Sequence, residues 1–120
     1  MAKKKSHSTL SPTKATAEEF DMIYPILNSI FNEIKELSKK KQDGALNEIK
    51  VKMANRILSK IKLFLKDDPT NEFLDLLDVE ILPTNSDAVL IITQFLAAMA
   101  QFKERYYGWN GQEDAWTTID

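Results

Sequence analysis

The chain has 120 residues, no cysteine, one histidine (His7) and a formal net charge of −2 at pH 7. That length can bury one core without disulfides or metal, and the missing thiols exclude disulfide stapling, thiolate catalysis and cysteine-ligated zinc. A lone imidazole in a Ser/Thr/Lys-rich leader argues against histidine acid/base chemistry, and the mildly acidic balance argues against a surface that is basic throughout.

Residues 1–16 are polar and basic, with too few large apolar side chains to offset the entropy of ordering, and read as a flexible tail carrying Lys3, Lys4, Lys5 and Lys14. The leader has no apolar run behind its charges and Ala2 stands where myristoylation needs glycine, so neither a secretory signal nor that lipid anchor is expected. A cytoplasmic location follows as the default. Residues 17–107 form the expected bundle domain and residues 108–120 a separate C-terminal segment.

From Ala17 to about Lys41 the apolar residues Phe20, Ile23, Ile26, Leu27, Ile30, Phe31, Ile34 and Leu37 recur at three- and four-residue steps, which predicts an amphipathic helix. Pro25 implies either a kink or a start near Tyr24. Asp43-Gly44 marks a turn. The next helix spans Leu46 to about Lys66, with Leu46, Ile49, Met53, Ile57, Ile61 and Phe64 on its apolar face, widened by Ala54, Leu58 and Leu65. Lys50, Arg56 and Lys60 project beside that face, so they are expected to pair with carboxylates of the following acidic segment or with Glu33.

That acidic segment holds Asp67, Asp68, Glu72, Asp75, Asp78, Glu80 and Asp87 and no basic residue. Asp68-Pro69 resembles an N-cap followed by proline at the first helical position, predicting a short helix to about Asp78, with a loop from Val79 to Pro83. Asn85-Ser86-Asp87 should cap the last helix, Ala88 to about Tyr107, whose apolar residues point nearly all round, as in a helix that is central to the fold or lends one face to an oligomer. Small Ala97, Ala98 and Ala100 would let another helix approach closely. The remainder, from Gly108, reads as a loop or tail with two tryptophans.

The expected fold is therefore all-α, an irregular bundle of three long helices and one short helix. Three function classes compete. Tyr106, Tyr107, Trp109 and Trp116 are the candidate partner-binding residues of a small non-catalytic subunit that docks to itself or to a larger protein, because Trp and Tyr concentrate binding energy at interfaces. Lys39, Lys40, Lys41, Lys52, Lys62 and Lys66 are candidate phosphate contacts, should the chain brace nucleic acid within a larger complex. The carboxylates of 67–78 could hold a hard cation, but no calcium-loop pattern, phosphate loop or nucleophile motif accompanies them, so no enzyme activity, cofactor or metal is expected. No stretch is long and apolar enough to predict a membrane span.

Overall fold

The computed structural model describes residues 11–120, which are mostly helical. In chain order they form α1 (Lys14–Lys40), α2 (Glu48–Phe64), a 3-10 helix (Pro69–Phe73), α3 (Asn85–Tyr106) and two short strands, β1 (Tyr107–Trp109) and β2 (Asp114–Trp116). The three long helices are as expected. The fourth is a single 3-10 stretch followed by extended chain, and the C-terminal segment is a β-hairpin where a loop or tail was expected. The tail expected over 1–16 lies outside the described residues up to Leu10, and its last three residues already belong to α1.

Helix α1 starts at Thr13, whose hydroxyl accepts from the Thr16 amide at 3.1 Å and so satisfies one of the donors left open at a helix start. The helix then runs through Pro25 to Lys40, so the alternative start near Tyr24 is overturned. Packing explains this. Phe20 and Leu27, on either side of the proline, are both completely buried, while Pro25 itself faces solvent. Burying such side chains outweighs one lost backbone bond.

Helix α2 is capped by Asn47, whose carboxamide oxygen accepts from the Lys50 amide at 2.8 Å. Its buried stripe is Val51, Ala54, Leu58 and Ile61, continued by Leu65. Ile49 and Met53, placed on the inner face by the sequence, are 70 % and 57 % exposed. The expected face was counted from Leu46, which is buried but precedes the cap, and the count is off by about one residue, or about 100° of helix.

Ion pairs Lys60–Glu19 (3.4 Å) and Lys50–Glu33 (3.3 Å) set α2 antiparallel to α1. Helix α3 also runs antiparallel to α1: Asn85 at its start donates to the Lys41 carbonyl, and Phe102 near its end stacks on Phe20 with ring centroids 5.8 Å apart. Helix α1 thus packs against both partners, so it, and not α3, is central to the fold. It contributes Ala88, Ile92, Phe95, Ala98, Met99 and Phe102 to the single core but leaves a continuous stripe outside. The loops brace this arrangement. Gly44 accepts from the Asn85 amide at 2.8 Å, and a side chain at Gly44 would press on the side chains of Lys41 and Asn85. Leu46 donates to the Pro83 carbonyl at 2.8 Å. The cap of α3 is Thr84, one residue before the expected one; Asn85 instead turns inward and is buried.

Candidate interaction surfaces

The basic helix and the acidic segment meet mainly through backbone groups. Asn55 of α2 grips Leu77 from both sides, accepting from its amide at 2.9 Å and donating to its carbonyl at 2.8 Å. Lys62 donates to the Leu74 carbonyl at 2.6 Å, and Asn71 returns a bond to the Lys62 carbonyl at 3.0 Å. These contacts satisfy the main chain of an irregular segment that has no ladder of its own. The expected charge pairing is therefore corrected: Lys50 does pair with Glu33, Lys60 pairs with Glu19 of α1, and Arg56 has no ion pair among the described residues.

The segment's carboxylates are put to other uses. Asp68 caps the 3-10 helix through the Thr70 amide and hydroxyl, and its second oxygen pairs with Arg105 of α3 in a largely buried contact. Asp78 accepts from the Ile81 and Glu80 amides, which hold its carboxyl below the usual value. Asp75 lies beyond the 3-10 helix in irregular chain, so the carboxylates of 67–78 do not line one helix. Among the described residues no three carboxylate or imidazole groups come together as a metal site.

The four aromatic candidates separate into two pairs. Tyr106 is buried, stacking edge-on against Phe102 at 5.1 Å, and burial pushes its phenol above the ordinary pKa, opposed by the Arg105 charge and reinforced by Asp68. Trp116 is half-buried. Its ring stands edge-on to Phe20 at 5.0 Å and Tyr107 at 5.5 Å, and its indole N–H donates to Asp21 at 3.1 Å. Both close the end of the core. Tyr107 and Trp109 stay outside, 37 % and 71 % exposed. The register pairs Tyr107 with Trp116 and Trp109 with Asp114, and alternation along a strand places all four on one face of the hairpin. Lys103 lies over the Tyr107 ring at 4.7 Å.

The turn fixes this display. Asn110 accepts from the Gln112 and Glu113 amides, and Gly111 has φ of 104°, a left-handed conformation natural to glycine. The Thr117 amide donates to the Tyr106 carbonyl, and that of Ile119 to the Pro12 carbonyl at 3.0 Å, tying the strand's exit to the entrance of α1.

The candidate phosphate contacts are not brought together. Lys39, Lys40 and Lys41 lie where α1 ends; Lys62 and Lys66 lie near the opposite end, about 35 Å away along α1 at 1.5 Å per residue, and Lys52 stands between them, about 15 Å from Lys62 along α2. Lys39 and Lys52 are engaged with Glu36 and Glu48, and Lys62 with backbone. Lys66 borders a cleft of about 290 Å³ with Ser11, Thr16, Phe64, Asp68 and Tyr106. Sequence reasoning missed one feature altogether. A shallow, mainly apolar groove, also about 290 Å³, lies between the acidic segment and α3, lined by Phe73, Asp75, Leu90, Ile91 and Gln94. Phe73 and Leu90 are 64 % and 62 % exposed. The large apolar residues of 73–81 pointed to it, but the helix expected there would have turned them inward.

No described helix is long and apolar enough to cross a membrane. No protein-family model, curated protein or solved structure matches the chain.

Proposed function

We propose that the chain is a small non-catalytic interaction subunit, acting in the cytoplasm, that docks to another protein through the outer end of its C-terminal hairpin. The observation that carries this reading is the division of the aromatic residues: Tyr106 and Trp116 anchor the hairpin, while Trp109 is held out on the same face by a structured turn. A large aromatic displayed on a rigid support loses little entropy on binding and removes much apolar surface from water, which is the character of an interface anchor. Bracing nucleic acid draws less support, since the six lysines are spread along a body 49 Å long and three of them are already engaged within the fold.

The test is purification of the tagged protein from its native cells beside the Trp109→Ala variant, with mass spectrometry of stoichiometric partners. A partner present with the natural chain and lost with the variant, at unchanged melting temperature, is the expected result. A partner retained at full stoichiometry by the variant would move the interface elsewhere.

A further inference from the structure

We infer that the groove between the acidic segment and α3 is a second docking surface, and that its occupant is a basic amphipathic helix of another protein. Three independent features define it. The first is the outward stripe of α3. Asp87, Leu90, Gln94, Ala97, Gln101 and Glu104 are all exposed, at alternating three- and four-residue steps. This is the spacing by which one helix lies along another, and the stretch from Leu90 to Gln101 carries no charge over about 17 Å, or about three helical turns. Ala97, with Ala100 beside it, leaves room for a second backbone to come close.

The second feature is the wall. Phe73 and Asp75 of the acidic segment line the groove together with Leu90, Ile91 and Gln94 of α3. Beyond it Leu76, Val79 and Ile81 are exposed along the same segment. Scattered surface apolar residues are ordinary, but a lined groove in a segment that exposes four large apolar residues marks a contact surface. Nothing in the fold requires these side chains outside: Leu74 and Leu77 already fix the segment to the core, and Asn55 and Lys62 satisfy its backbone.

The third feature is charge. Glu72, Asp75, Asp78 and Glu80 alternate with those apolar residues, are exposed, and form no ion pair among the described residues. Asp87 and Glu104 close the two ends of the α3 stripe with the same sign. An occupant with acidic flanks would be repelled by the acidic segment and at both ends of the stripe, whereas one with lysine or arginine beside an apolar face would be matched there. A second copy of this chain would bring its own acidic rim against this one and fits poorly.

The experiment uses the full chain and two synthetic helical peptides, one of leucine and lysine, the other of leucine and glutamate, followed by isothermal titration and by amide shift mapping in NMR. The leucine–lysine peptide is expected to bind, to shift the amides of Phe73, Asp75, Leu90 and Gln94, and to weaken as salt is raised. Leu90→Ser and Ala97→Leu should each weaken it roughly tenfold, the first by removing an anchor and the second by blocking close approach. Glu72→Gln with Asp75→Asn should flatten the salt dependence. Trp109→Ala should leave this binding intact, so failure at the hairpin and failure at the groove are told apart. Equal binding of the leucine–glutamate peptide, shifts confined to other surfaces, or self-association that maps to this groove would each overturn the proposal.

Discussion

The hairpin after α3 and the acidic segment before it both mix large apolar residues with polar ones, and their backbones find partners in opposite ways. In the hairpin the backbone satisfies itself, through strand pairing and the Asn110 turn, so Trp116 is free to pack on Phe20 and Phe102. The acidic segment has no ladder, and its backbone is held from outside by Asn55 and Lys62 and from within by Asp78. Those anchors fix where the chain runs: Leu74 and Leu77 are buried in the core and Leu82 packs partly against it, while Phe73, Leu76, Val79 and Ile81 stay exposed. Where a backbone finds its partners decides which side chains are left for the surface.

The comparison predicts a graded response. Trp116→Ala should have the largest effect, costing about 3 kcal/mol, because it removes a ring from the aromatic cluster and leaves Asp21 without its indole donor. Thermal or urea unfolding checks it, with a loss under about 1 kcal/mol showing the hairpin to be an appendage. Asn55→Ala should cost somewhat less, about 2 kcal/mol, by leaving both polar groups of Leu77 without a protein partner. Hydrogen exchange should then quicken across 74–78 before it does in α3; uniform quickening would mean that the segment is held by its leucines alone.

The smallest effect concerns Tyr106. Its folded-state pKa is raised by burial, so its contribution to stability is fully present below the unfolded value of about 10 and is lost as pH rises through the folded value. Stability should therefore begin to fall above about pH 10, and Tyr106→Phe should blunt that fall. Ultraviolet titration should show a tyrosine transition above the ordinary pKa that the variant lacks.

The helices were legible because apolar residues recur at helical steps in α1 and run almost unbroken through α3, although that run does not tell which side of α3 stays outside. Boundaries and faces were less so. Thr13 was passed over as part of a polar leader although a threonine before a helix is a cap, and the face of α2 turned on whether Leu46 belongs to the helix. The hairpin had a readable sign in Asn110-Gly111, flanked by aromatic residues two apart, which the expectation of a tail obscured. The segment after Phe73 was not legible. Its path is set by Asn55, which lies 22 residues earlier in the chain and looks like any solvated helical residue, and that path also creates the groove. Of the aromatic candidates, the sequence could group the four but could not say that Trp116 would reach Asp21 across the fold.

The two bonds that join Pro12 to Ile119 and Lys14 to Asp120 have a consequence for the order of events in folding. The second spans 106 residues, so nearly the whole described chain must be gathered before it can form. Closing so long a loop is entropically costly for a polypeptide that has not yet collapsed and cheap once the helices have met. Both contacts therefore belong to the last stage of assembly. They report on a finished molecule, and the first turn of α1 becomes the place where completion of the distant C-terminal segment is felt.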